Sequence, residues 1–216
     1  MTTASKVAVI GLGNIGKTIT QNLVKRNRPV TVATRHLEDS IAFSQELGNL
    51  VTPAETREAI QNADIIILSV WFHTIIEFLE QYREELQGKI IIDPSNPIAP
   101  DDKGGFKKII GEKESAGELL AAILPQSAIL VKALGTLGVA SLANAAFGSP
   151  EKSVLFYATD DSDVDGVVVQ LLQDTGFEAL KIGGLNQSIR IEVFGDLHEF
   201  GAIGKPVNVG EAQTKI

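Results

Sequence analysis

Short runs of β-branched and aliphatic residues alternate along this chain with longer amphipathic stretches, the pattern of a parallel α/β sheet. Lys6–Ile10 reads as the first strand and Gly13–Arg26 as the helix behind it. A second strand covers Val30–Arg35, a helix follows over Glu38–Leu47, and a short third strand lies around Leu50–Val51. Thr52, Pro53 and Glu55 have the spacing of a capping box with proline at the first helical position, which predicts a helix from there to Asn62. Asp64–Val70 is apolar without a break, as a strand covered on both faces must be.

A helix is predicted over His73–Leu86 and a fifth strand over Lys89–Asp93, closed by the turn Pro94-Ser95-Asn96-Pro97. After a Gly/Lys-rich loop at Asp102–Lys108, Ser115 and Glu118 form a second capping box, opening a helix to Leu124. Ala128–Leu134 is the sixth strand. A Gly/Ala-rich segment (Gly135–Phe147), a strand (Ser153–Thr159), a helix (Ser162–Thr175), a strand (Glu178–Ile182) and a helix (Asn186–His198) complete the pattern. Six strands joined by helices predict the order 3-2-1-4-5-6, with the last elements added at one edge. The expected division is residues 1–134 as one domain and 135–216 as a small α/β lobe.

With 44% hydrophobic and 21% charged residues, the chain has enough apolar material for a packed core, which excludes wholesale disorder. A net charge of −8 argues against nucleic acid and anionic membrane, since both require a basic face. The absence of cysteine removes disulfides and thiolate chemistry, and three histidines without cysteine make a transition-metal site improbable. The polar N-terminus predicts no signal peptide, and no apolar run is long enough to span a bilayer, so a cytoplasmic location and a homo-oligomer are the expectations.

The chemistry begins at Gly11-Leu12-Gly13-Asn14-Ile15-Gly16. This G-x-G-x-x-G follows a predicted strand, opens a helix and starts a βαβ unit, the context in which it holds a dinucleotide. Gly11 permits the tight turn, Gly13 lets a pyrophosphate approach the backbone, and Gly16 lets helix and strand pack closely. A glycine-rich turn without a ligand is the alternative. The loop makes the fold a Rossmann-type doubly wound sheet. At the end of the second strand an NAD site places Asp or Glu, whereas Thr34-Arg35-His36 stands here. Arg35 can fork onto a 2′-phosphate or lie against adenine, Thr34 can donate a hydroxyl hydrogen bond and His36 can add a donor, so NADP is the predicted nucleotide. Glu38 and Asp39 read as caps of the next helix.

Ligands of such sheets sit outside the carboxyl ends of the strands. There Ser69, Val70 and His73 are candidates to flank the cofactor, while Trp71 and Phe72 read as core packing. Pro94, Ser95 and Asn96 form a stiffened turn suited to hold a side chain near a carboxamide, or a plain turn. Gly135-Thr136-Leu137-Gly138 offers either a floor for a flat second ligand or tight packing. No catalytic acid, base or nucleophile stands out. Hydride transfer between bound cofactors requires none from the protein.

Taken together, the Gly11–Gly16 loop, Thr34-Arg35, Asp64–Val70, Asp93-Pro94-Ser95-Asn96-Pro97, Ser115-Ala116-Gly117-Glu118-Leu119, Val131-Lys132-Ala133-Leu134 and Gly183-Gly184-Leu185 resemble the NADP-dependent reductases of the deazaflavin coenzyme F420. That resemblance implies hydride transfer between NADPH and a flavin-like ring, coenzyme F420 or a flavin, lying between the nucleotide domain and the small lobe. Two alternatives stand beside it: a reductase of another small-molecule acceptor such as a ferric chelate, and a non-catalytic protein that senses NADP. β-Hydroxyacid dehydrogenases and pyrroline carboxylate reductases share the first half of the pattern. Their long helical dimerisation domain has no counterpart in the α/β pattern after Leu134.

Overall fold

The structure, a computed structural model, describes residues 5–216; the start of the chain, read above as carrying no signal peptide, lies outside them. The elements run β1 (Val7–Ile10), α1 (Asn14–Lys25), β2 (Val30–Ala33), α2 (Leu37–Leu47), β3 (Val51–Pro53), α3 (Thr56–Asn62), β4 (Ile65–Leu68), α4 (Phe72–Gln81) and β5 (Ile90–Asp93). They continue with a hairpin of β6 (Ile98–Pro100) and β7 (Phe106–Lys108), then α5 (Ala116–Ala121), β8 (Ile129–Lys132), α6 (Val139–Asn144), β9 (Val154–Tyr157), α7 (Asp165–Asp174), β10 (Glu178–Lys181) and α8 (Val209–Gln213).

The central sheet has the order β3-β2-β1-β4-β5-β8, parallel throughout. This is the 3-2-1-4-5-6 order expected of the six strands. Alternation along each strand builds two cores. Val7 and Val9 of β1 join Val32, Ile67 and Val131 on one face, where Ile19 and Leu23 of α1 and Leu171 of α7 cover them. Ala8 and Ile10 join Ile66, Leu68 and Leu130 on the other, under Ile60 of α3, Ile75 and Leu79 of α4 and Leu120 of α5. A strand with helices on both sides must be apolar at every position, which is why β4 reads Ile-Ile-Ile-Leu.

Four expectations change. Thr52 and Pro53 do not open a helix: they sit in β3, opposite Thr31 and Val32, and α3 begins at Thr56 with Glu55 as its N-cap. The ladder continues through Ala54 N–H to the Val32 carbonyl at 3.0 Å, and on this edge strand a proline gives up no hydrogen bond. Next, β9 and β10 form their own two-stranded parallel sheet instead of extending the large one; one antiparallel bridge, Lys132 to Ala158, joins the two. The predicted final helix is only a 3-10 run at Leu185–Arg190. Beyond it Phe194 takes a left-handed φ of 74°, and the chain folds back so tightly that a Cβ on Gly195 would lie 2.4 Å from the carbonyl oxygens of Ile189 and Arg190. Helix stops there because the backbone reverses. The fourth change is the β6–β7 hairpin, which occupies the stretch read as a turn and a loop.

Ser115 caps α5 as expected, its hydroxyl accepting from Glu118 N–H. The reciprocal half of the box differs: the Glu118 carboxylate accepts from the Ser115 hydroxyl at 2.8 Å instead of from its backbone amide. A third core, built from Val154, Phe156, Ile191, Leu197 and Val207, binds the end of the chain over β9. Among the described residues no helix is long and apolar enough to cross a membrane.

Candidate functional site

The three glycines of the loop answer to different demands. Gly11 has φ +93°, and a Cβ there would stand 2.4 Å from the Ser69 carbonyl oxygen. A Cβ on Gly16 would stand 2.0 Å from the Gly11 carbonyl oxygen, so helix α1 can meet β1 only without it. Gly13 differs. Its backbone is extended (φ −67°, ψ −174°), it is exposed, and a Cβ would meet no protein atom within 4 Å. Nothing in the folded chain requires glycine at 13. The helix it precedes has no side-chain cap and no acidic residue in its first turn, which leaves the amides of the first turn and their partial positive charge facing open space.

Two cavities open along the carboxyl ends of the strands, and Gly13, Ser69 and Val70 line both. The larger, about 880 Å³, lies between α2 and α4. Of the residues proposed from sequence, Gly11, Leu12, Gly13, Thr34, Arg35, His36, Ser69, Val70 and His73 line it. The smaller, about 380 Å³, is lined by Gly13, Asn14, Ile15, Ser69, Val70, Pro94, Ser95 and Asn96. Gly16 lines neither and acts through packing. Trp71, expected in the core, is 53% exposed on the rim of the smaller cavity, because it is the extended N-cap residue of α4; Phe72, one position on, is buried as expected. The hairpin adds Ile98 and Phe106 to that rim, and α6 adds Val139.

At the outer end of the larger cavity, Arg35 is exposed and makes no ion pair among the described residues. Thr34 donates its hydroxyl to the His36 carbonyl at 2.6 Å and meets Ser40 Oγ at 3.1 Å, so it shapes the turn that presents Arg35. Asp39, in the first turn of α2, shares this wall.

The wall of the smaller cavity rests on a buried polar network that the sequence reading did not find. Lys132 and Asp93 are fully buried and pair at 2.7 Å. Asp93 Oδ1 also accepts from Ser95 N–H at 2.7 Å, and the Lys132 ammonium donates to the Ser95 carbonyl. Asn96 is held at both ends of its amide: Oδ1 accepts from Val193 N–H at 2.7 Å, and Nδ2 donates to the Gly135 carbonyl at 3.2 Å. Gly135–Gly138 settles as tight packing. A Cβ on Gly135 would lie 2.5 Å from the Pro94 carbonyl oxygen, one on Gly138 would lie 2.7 Å from the Phe200 ring, and none of the four lines either of these two cavities.

Two carboxylates from the end of the chain complete the frame. Glu192, 1% exposed, accepts from the amides of Ala116 and Gly117 at the start of α5. Glu199 accepts from Gly138 N–H at 2.6 Å and from the Ser141 hydroxyl at the start of α6. Each places a negative charge on a helix N-terminus.

His198 lies between them, buried, with Nδ1 accepting from Phe200 N–H at 2.9 Å. The proton therefore sits on Nε2, which donates to the Gly135 carbonyl at 2.9 Å. Burial pushes its pKa down from 6.5 to about 4. Between those two values the unfolded chain takes up a proton that the folded chain refuses, so the stability His198 contributes is complete above pH 6.5 and lost as pH falls towards 4. The expected loss is on the order of 3 kcal/mol across that window. Urea midpoints measured from pH 4.5 to 7 check it: wild type should show the added slope and His198→Gln should lack it.

Residues 6–97 match the family model described as NADP oxidoreductase, coenzyme F420-dependent. The chain is 24% identical over 200 residues to the F420-dependent NADP reductase of Methanocaldococcus jannaschii, covering 87% of each protein. Among solved structures, a hypothetical protein of Sinorhizobium meliloti superposes with a TM-score of 0.81 at 24% identity, over 94% of this chain and 95% of that one. A proposed F420-dependent NADP reductase of Arthrobacter sp. FB24 gives a TM-score of 0.73 at 23% identity, over 85% and 87% of the two chains.

Proposed function

We propose, from the premise that residues 6–97 carry the domain of the coenzyme F420-dependent NADP oxidoreductases, that this chain is an NADP-dependent oxidoreductase passing a hydride between NADP(H) and a flavin-like acceptor, with coenzyme F420 as the preferred one. The observation that carries the reading is Gly13. Two glycines of the loop are required by the chain's own packing and the third by none of it, so the open side of Gly13 is kept clear for something outside the protein. A pyrophosphate seated there meets the uncapped amides of α1.

From that point the larger cavity receives the adenosine half, with Arg35 and Thr34 at the ribose, and the smaller cavity receives the nicotinamide against Ser69, Val70 and the Pro94–Asn96 turn. Residues 135–216 act as the lobe that completes the cleft, supplying Val139 to its wall and Val193 N–H to hold Asn96. The apolar rim of Trp71, Ile98 and Phe106 suits a flat acceptor ring. The bound nucleotide supplies the hydride chemistry itself. The protein's part is to orient two rings and to keep water from between them. The chain is further read as cytoplasmic and as a homo-oligomer; light scattering behind size-exclusion chromatography checks the oligomer.

The test is steady-state NADPH oxidation with coenzyme F420, FMN and a ferric chelate, each repeated with NADH. The expected result is turnover with F420 at a kcat/KM at least about tenfold above the other acceptors, and with NADPH above NADH. Tight NADPH binding without turnover on any acceptor overturns the enzymatic reading in favour of a sensor.

A further inference from the structure

Lys17 stands one turn into α1, its amide bonded to the Gly13 carbonyl at 3.0 Å. Helical side chains lean toward the N-terminus, so its stem runs back over the glycine loop. It lines the larger cavity, and its ammonium lies 5.6 Å from the centroid of the Phe43 ring on α2, the helix that follows Arg35. Asp39 and Glu46 line the same cavity, yet Lys17 forms an ion pair with neither among the described residues. The ammonium thus rests by an aromatic ring and is paired with no carboxylate among the described residues, which leaves its charge open to an anion in the cavity. That charge must also be bound against the field of a chain with net charge −8.

We infer that Lys17 is the second cation of the 2′-phosphate site, facing Arg35 across the larger cavity, and that Phe43 is the residue that positions it. The reading rests on the NADP proposal above and adds a residue that sets nucleotide specificity. Arg35 reaches the phosphate from the turn after β2, and Lys17 reaches it from α1. A dianionic phosphate with a cation on each side gains selectivity over a ribose hydroxyl from both.

Titration of NADP+ and NAD+ into wild type, Arg35→Ala, Lys17→Met, Phe43→Leu and the Lys17→Met/Phe43→Leu double variant tests this. Lys17→Met keeps the aliphatic stem and removes only the charge. The expected result is a roughly tenfold weaker NADP+ affinity for Lys17→Met with NAD+ changed less than about twofold, and a flatter dependence of NADP+ binding on salt. Phe43→Leu should weaken NADP+ by about threefold in wild type and have no further effect in the Lys17→Met background. A merely structural ring would weaken both nucleotides in both backgrounds. Equal losses for NADP+ and NAD+ in Lys17→Met would assign Lys17 to the pyrophosphate and overturn the inference. If wild type itself fails to prefer NADP+, the underlying NADP reading falls. If it prefers NADP+, loses that preference in Arg35→Ala and keeps it in Lys17→Met, only the role of Lys17 falls.

Discussion

Gly13→Ala is expected to melt within a few degrees of wild type and to bind NADPH roughly ten- to a hundredfold more weakly, the loss that corresponds to forcing a methyl group into a filled site at about 1–3 kcal/mol. The stability half of the expectation follows from two small opposing terms. Alanine is a poorer N-cap residue than glycine, which costs the helix less than about 1 kcal/mol, while it narrows the unfolded ensemble by a similar amount. The extended backbone at 13 suits any residue, and the new Cβ touches no protein atom. The control is Gly16→Ala, whose Cβ would stand 2.0 Å from the Gly11 carbonyl oxygen and must push backbone aside. That variant should lose stability first, by roughly 2–12 °C in melting temperature for a chain of this size. Differential scanning calorimetry with nucleotide titration separates the two. Normal NADPH affinity in Gly13→Ala would remove the observation on which the proposed function rests.

Asp93→Ala should destabilise the protein by about 3–5 kcal/mol, the usual result of stripping one partner from a buried ion pair. The carboxylate accepts from Lys132 at 2.7 Å and from Ser95 N–H at 2.7 Å, and both lose their partner at once. An ammonium 1% exposed is then left without its counter-charge. Lys132→Met removes that uncompensated charge, so the double variant Asp93→Ala/Lys132→Met should recover part of the loss. Chemical denaturation of the four proteins gives the coupling directly. Additive losses, with no recovery in the double variant, would contradict the pairing. Because the same lysine holds the Ser95 carbonyl, the recovered protein should still bind its nicotinamide side less well than wild type.

What could be read in the sequence was what neighbouring residues decide. The glycine loop declares itself within six positions, Thr34-Arg35 follows from its place at the end of β2, and the succession of six strands joined by helices gives the strand order. The misreadings arose where distant partners compete. Thr52-Pro53 carries a helix-start pattern, but Val32 offers it a ladder 21 residues away and the ladder prevails. The reversal at Phe194–Gly195 ends the predicted last helix through contacts of backbone with backbone, which hydrophobic periodicity does not record. Lys132 stood in a motif of the resemblance with no role of its own to read, because its partner lies 39 positions earlier. The turn at Asn96 could be read locally, but its bond to the Val193 amide could not, because that partner lies 97 positions away.

Glu192 and Glu199 serve helix starts that lie 76 and 61 positions before them. On the ribosome, at about 5–20 residues per second, the amides of Ala116 and Gly117 are made roughly 4–15 s before the carboxylate that caps them. Once Lys132 has been made the central sheet has all six strands, but α5 and α6 still lack their caps. Synthesis of residues 192–199 is thus the event that locks the earlier ones, and a nascent chain halted before Glu192 would leave both helix starts without their carboxylates.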